Sequence, residues 1–207
     1  MYRNIKLLLI SILAVLLMAP ALMAADSFLP KNAPSLHPLE AYDLLIRQPG
    51  NTFLIDVRTR EEYTIAHPAK GYNIPWRFNG IEVTLPQNNQ PARYQLAAEP
   101  NPDFLGVVQS LFKTEDQLLI ICDNGQQSAQ ASDALLSAGF KQVRQVQGGV
   151  WGERLTYKDN PRLLEKYSAN YGRGGLVNGW VYWGLPMSYT LDPLYMYPPD
   201  IKRAQNP

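Results

Sequence analysis

Two spacings of apolar residues alternate along this chain. Short runs occur at Thr52 to Val57 and Leu118 to Ile121, mostly or wholly apolar, and at Val143 to Val146, with a valine at each end. Runs of that length, rich in Val and Ile, predict buried strands. Between them apolar residues recur at helical spacing: Ala41, Leu44 and Leu45 after His37-Pro38, then Phe104, Val107, Val108 and Leu111 after a cap at Asn101-Pro102. A third set, Ala131, Ala134, Leu135 and Ala138, runs from Gln126 to the stop at Gly139. Pro38 suits a first helical position, and Pro49-Gly50 ends that helix. Arg60 to Tyr63 reads as a short helix and Gly71 to Pro75 as extended chain. Strands alternating with helices predict an α/β fold with a central, mostly parallel sheet flanked by helices.

Two stretches interrupt the alternation. Residues 76–100, with a Gln-Asn-Asn-Gln-Pro segment, show no clear period and read as a long loop or insertion. Beyond Gly148-Gly149, Tyr157 to Tyr171 reads as one helix, Gly172 to Gly175 as a Gly-rich joint, and residues 180–199 are crowded with Trp, Tyr and Pro. The expected organisation is a signal segment, 1–24, and one domain, 25–207. Its core is 36–149 and 179–187, its insertions 76–100 and 150–178, its tail 188–207. Packing of that tail back over its own domain is the economical reading; docking of a protein partner through the insertions or tail is the alternative.

The first residues combine a basic start (Arg3, Lys6), an apolar core from Leu7 to Met18, and small residues around Ala24 and Ala25. That is the layout of a secretory signal, and the apolar core is short for a membrane span. The expectation is export, with the bacterial periplasm as compartment, cleavage after Ala24 or Ala25, and no stable membrane insertion afterwards. Without Arg3 and Lys6, 17 of the 19 basic residues remain against 18 acidic ones. A near-neutral body gives no case for nucleic-acid binding.

Cys122 is the sole cysteine. It closes the run Leu118 to Ile121 and precedes Asp123, Asn124, Gly125, Gln126, Gln127 and Ser128, where a helix starts. A strand's carboxyl end feeding a helix N-terminus is where parallel sheets place their chemistry. Backbone N–H groups there cradle an anion and favour a thiolate. The bland alternative is a buried structural thiol. One cysteine excludes an intramolecular disulfide and leaves a disulfide oxidoreductase without a resolving thiol. With His37 and His67 far apart, no zinc site and no other metal or cofactor is implied.

The order of several motifs resembles the rhodanese family. "LIDVRTREEY" is similar to its Asp-Val-Arg segment, "AHPAKGYNIP" to its Gly-His-Ile-x-Gly-Ala-x-Asn-Ile-Pro stretch, and "CDNGQQS" to its active loop. "VQGGV" and "GWVYWGLP" resemble its double glycine and closing Trp-x-x-x-Gly-Leu-Pro. The resemblance covers residues 36–149 and 179–187. It implies a rhodanese-like α/β domain and a sulfurtransferase in which Cys122 is the nucleophile and persulfide carrier. Residues 123–128 would then be the anion cradle, with Ser128 assisting. It implies a small sulfur donor or a protein sulfur carrier as partner, and a fold-shaping role for His67. Asp56 and Arg58 read as a structural ion pair, with Glu62 of the same kind.

The loop departs from the family in charge. Asp123 and Gln127 stand where basic residues are usual, so the loop offers a dianion no cation. Asp123 beside the sulfur should raise the thiol pKa. Arg58, Arg77 and Arg154 are the expected sources of charge support, with Arg144 a further candidate. Uncharged or protein-bound sulfur, or a polysulfide, fits this loop better than thiosulfate. Two rivals follow. A phosphatase would need an arginine where Ser128 stands, and phosphoryl chemistry without a cation is set aside. A catalytically weak rhodanese-like module would bind a partner or sense redox or sulfur state through Cys122.

Overall fold

The computed structural model describes residues 28–84, 93–154 and 176–197. Side chains of 81–84, 93–96 and 154 are outside that description. Five strands form the central sheet: β1 (Ser35–Leu36), β2 (Thr52–Asp56), β4 (Tyr72–Asn73), β7 (Gln117–Ile121) and β8 (Gln142–Val146). Their order is β1-β8-β7-β2-β4 and every pairing is parallel. Helices α1 (Pro38–Arg47), α2 (Arg60–Ile65), α3 (Phe104–Leu111) and α4 (Gln126–Ser137) connect them. The short strand β3 (His67–Pro68) follows α2.

Both faces of the sheet are covered, so β2 and β7 are buried along their whole length. The pleat sorts their side chains by alternation. Phe53, Ile55, Val57, Leu118, Ile120 and Cys122 share one core cluster with Phe104 and Val108 of α3 and Ala131 and Leu135 of α4. Leu54, Leu119, Ile121 and Val146 pack on the opposite side with Ala41 of α1, Trp180 and Leu185. Each fully buried Leu or Ile contributes roughly 1.5–3 kcal/mol. Cys122 thus falls in phase with Leu118 and Ile120, under α4.

The cap of α1 is His37, whose Nδ1 accepts from the Leu39 N–H at 3.2 Å while Glu40 accepts from the His37 N–H. Asn101 does not cap α3. The helix starts at Phe104 after Asp103, and Asn101 instead accepts from the Asp103 N–H and donates to the Pro75 carbonyl. A proline at 102 supplies no N–H, so the Asx-type bond reaches the next residue and holds the entry to the helix.

Of the stretch 76–100, expected as a long loop or insertion, residues 77–84 and 93–100 are strands rather than loop. Arg77–Thr84 (β5) and Arg93–Pro100 (β6) form an antiparallel hairpin, with Val83 opposite Tyr94 and Ile81 opposite Leu96. Gly80 broke the alternation in the sequence and masked the strand signal; the Gln-Asn-Asn-Gln-Pro segment lies outside the described residues. The segment after 149 opens and closes on a two-strand ladder, β9 (Glu153–Arg154) against β10 (Leu176–Val177). The expected helix at 157–171, the Gly-rich joint 172–175 and the signal segment lie outside the described residues.

The start of the tail folds back on the domain. β11 (Met187–Ser188) pairs with β3, the Tyr197 N–H donates to the Asn73 carbonyl at 3.0 Å, and the Tyr195 ring packs 4.8 Å from Tyr72. Among the described residues no helix is long and apolar enough to cross a membrane.

Candidate active site

The carboxyl ends of β2, β7 and β8 converge on one edge of the sheet, and Cys122 is the first residue past β7. Its side chain is 0% exposed. The chain then turns sharply at Gly125, whose φ of 103° lies in the left-handed region that side chains avoid. This turn points the Gly125 N–H at Sγ, 3.1 Å away, and brings Ser128 Oγ to 3.3 Å from Sγ. Ser128 Oγ in turn donates to the Gly125 carbonyl at 3.0 Å. Its hydroxyl can rotate, so Ser128 accepts from a thiol and can donate to a thiolate.

The electrostatic balance on Sγ has two sides. Burial pushes the Cys122 thiol above its ordinary pKa; Ser128 and the backbone N–H groups of Ser128, Gly125 and Asn124 oppose it. The rise is in the expected direction with a different leading cause: lost hydration rather than Asp123. The helix N-terminus favours the anion but does not outweigh burial in this closed arrangement.

Asp123 is half-buried, and burial, then Glu62, raises its own pKa, with Arg58 opposing. Its carbonyl accepts from the Trp151 N–H at 3.0 Å, and that of Cys122 from Val150 at 2.8 Å. Gly149 permits this approach: it has φ of 60°, and a Cβ there would sit 2.6 Å from the Asp123 carbonyl oxygen. Asn124 Oδ1 accepts from the Gln126 N–H at 3.1 Å. Gln126 is exposed, and Gln127 Oε1 is buried with no hydrogen-bond partner among the described residues.

The proposed charge sources are spread apart. Arg58 is 0% exposed and lies on Asp56: Nε at 3.0 Å from both carboxylate oxygens, Nη2 at 2.6 Å from Oδ2, and Nη2 also on the Ala66 carbonyl. Burial alone would lower its pKa; Asp56, then Glu62 and Asp123, more than offset that. Its Nη1 has no hydrogen-bond partner among the described residues. Glu62 accepts from the Thr59 N–H at 2.9 Å and caps α2. Arg77 Nη2 donates to Gln130 on α4 at 3.1 Å, beside Trp76. Arg154 lies in β9 with its side chain outside the description, and Arg144 lies on β8. His67 stacks on Tyr63 at 3.8 Å, holds the Tyr63 carbonyl through Nδ1, and has its pKa lowered by burial. Among the described residues no three His, Cys, Asp or Glu side chains are placed to hold a metal.

The family model of the rhodanese-like domain matches residues 38–152, more than half of the chain. The chain belongs to the rhodanese-like domain family. Relatives include rhodanese-like domain-containing protein 15, chloroplastic, of Arabidopsis thaliana, 34% identical over 52% of this chain and 52% of that protein. Thiosulfate sulfurtransferase 16, chloroplastic, of the same plant is 33% identical over 61% of this chain and 89% of its own length. This chain spans about half the length of the first relative. The crystal structure of Rv0390 from M. tuberculosis superposes with a TM-score of 0.54 at 19% identity, covering 76% of this chain and 98% of that one. At that identity it speaks to the fold alone. The rhodanese-like match ends at 152, so the ladder of β9 and β10 and the tail lie beyond it.

Sequence reasoning passed over two polar residues that this rhodanese-like site uses. Gln145 of β8 is 1% exposed and donates through Nε2 to the Gly125 carbonyl at 2.7 Å. Asp133 of α4 accepts three backbone N–H groups from residues 31–33. The available signal was a polar residue, Gln145, standing beside Val146 within a run bounded by Val143 and Val146.

Proposed function

We propose that this chain is an exported sulfurtransferase that carries sulfane sulfur on Cys122 as a persulfide. The observation that carries the reading is the convergence of loop N–H groups and Ser128 on one sulfur at the carboxyl edge of a parallel sheet. In the first step the Cys122 thiolate attacks the outer sulfur of a donor R–S–SH. The donor S–S bond breaks, R–S⁻ leaves and takes a proton, and Cys122–S–SH forms. In the second step an acceptor thiolate attacks the outer sulfur of that persulfide, and Cys122 leaves as thiolate, which the cradle stabilises. No net oxidation occurs. Because Sγ has no exposure, each step requires the groups over it to part.

Asp123 and the absence of a basic side chain from 123 to 128 favour a persulfide or polysulfide donor over thiosulfate. A like charge beside the sulfur disfavours approach of a dianion. The test is turnover to a thiol acceptor, with a low-molecular-weight persulfide and with thiosulfate as donors. The expected result is at least ten-fold higher kcat/KM for the persulfide, about 1.4 kcal/mol of discrimination. Equal use of both sinks the donor assignment, and no use of either sinks sulfur transfer. Export from the cell is tested by fractionating cells that make the full chain. Recovery of the protein only in the cytoplasm contradicts it.

The buried thiol with its raised pKa specifically favours a second reading, a binding or sensing module. Alkylation of Cys122 that shows no ionisation below about pH 9 would support it.

A further inference from the structure

Gln145 joins three parts of the molecule through one amide. Its Oε1 accepts from Ser35 Oγ at 2.8 Å. Its Nε2 donates to the Phe28 carbonyl at 2.7 Å and to the Gly125 carbonyl at 2.7 Å, with Ser128 Oγ further off at 3.4 Å. An amide nitrogen has two hydrogens, and these two short bonds use both. Gly125 is the residue whose N–H meets Sγ, so Gln145 fixes the carbonyl on the other side of the same Cα.

The segment on the far side of this amide is itself tied down. The Asp133 carboxylate accepts from the N–H groups of Lys31, Asn32 and Ala33 at 2.7, 2.9 and 3.0 Å. Those bonds hold the Asp133 pKa below its ordinary value against the opposing effect of burial. β1 then pairs with β8, Ser35 opposite Gln145. Residues 28–36 therefore lie as a strap fastened to α4 at one point and to β8 at two. Asp133 sits about two turns along α4 from Gly125. None of these residues contributes an atom to the sulfur.

We infer that Gln145 is a positioning residue: through it the strap 28–36 anchors the Gly125 carbonyl and so holds Gly125 in the backbone conformation that aims its N–H at the Cys122 sulfur. A thiolate or persulfide anion gains from that N–H only if it stays aimed, and the left-handed φ at Gly125 has no side chain of its own to keep it there. Without the Nε2 bonds the Gly125 carbonyl keeps the Ala129 N–H at 3.1 Å and Ser128 Oγ. The first is ordinary helix bonding. The second competes with the sulfur for the Ser128 hydroxyl, so losing Gln145 draws Ser128 away from Cys122 as well.

The inference rests on Cys122 being the reactive group, but its readouts do not require sulfur transfer, so the two can fail separately. The test uses Gln145→Leu and Asp133→Asn in the full chain. The midpoint of the pH profile of Cys122 alkylation is measured, with backbone hydrogen exchange over 28–36 and 122–129. Gln145→Leu is expected to raise the midpoint by about 0.7 unit, roughly five-fold less thiolate at neutral pH, the worth of one lost hydrogen bond. The plateau rate is not the readout, since a looser loop also exposes the sulfur.

Among the described residues the charged groups around the loop are Asp123, the Asp56–Arg58 pair and Glu62, and neither variant changes them. Removing the Asp133 charge would by itself lower the midpoint. A rise in Asp133→Asn, with faster exchange in both segments, therefore reports lost positioning. The inference is overturned if the midpoints of both variants match the parent, or if exchange in Asp133→Asn rises in 28–36 alone. Should Gln145→Leu fail to fold, Asp133→Asn decides on the same terms.

Discussion

Two neighbouring strands of one sheet, β2 and β7, end in loops that solve the same problem in opposite ways. The loop after β2 carries full charges and consumes them internally. Asp56 and Arg58 bind each other with no exposure to solvent, and Glu62 is turned back onto the Thr59 N–H. The loop after β7 carries one acid and no base, and it surrounds its buried sulfur with backbone N–H groups and one hydroxyl. A buried ion pair resists rearrangement because separating it strands a charge. Dipoles on a glycine turn can serve a neutral thiol and an anion in succession. The charged loop is suited to holding a fold and the dipolar one to holding a group whose charge changes.

This contrast breaks most visibly at Arg58. Arg58→Met should leave Asp56 buried without its partner and cost about 3–5 kcal/mol in urea unfolding. A loss below about 1 kcal/mol would mean that the pair does not hold the loop. Gly149→Ala should cost about 2 kcal/mol or more, from its left-handed φ and from contact with the Asp123 carbonyl, and should also slow sulfur loading. Ser128→Ala should act on the thiol rather than on the fold. Its alkylation midpoint should rise by roughly 0.7 unit with the melting temperature little changed.

Asp123→Asn is the smallest and changes sign. The folded-state pKa of Asp123 lies above its unfolded value, so its contribution to stability is present below the unfolded value and lost as pH rises through the folded one. At neutral pH the amide should therefore be neutral or stabilising by less than about 1 kcal/mol. It should narrow the gap between persulfide and thiosulfate donors. A clear loss of stability at pH 7 would mean that the Asp123 charge has a partner. The thiol itself gives a further sign. Burial raises the Cys122 pKa, so stability should fall as pH climbs above the ordinary thiol range, and Cys122→Ser should lose that dependence.

The strands and helices were legible because both faces of the sheet are buried: Leu118 to Ile121 could be nothing but interior, and Ala131 and Leu135 share the face that spacing gave them. The hairpin at 77–100 was not, since Gly80 interrupts its alternation. The position of Cys122 followed from its place after a strand, whereas its protonation did not. Sequence shows the N–H groups that a helix start provides, but the desolvation that opposes them comes from the core that the sheet, α3 and α4 close around Cys122. Gln145 and Asp133 were invisible for a related reason. Their partners lie 20 and about 100 residues away, and a polar side chain in a strand does not announce which carbonyl it will meet.

The most direct test of the account is the intact mass of the protein after incubation with polysulfide and removal of excess donor. The account predicts one added sulfur, removed by a thiol reductant and absent in Cys122→Ser. No added sulfur on the folded protein, or the same addition in Cys122→Ser, would contradict it.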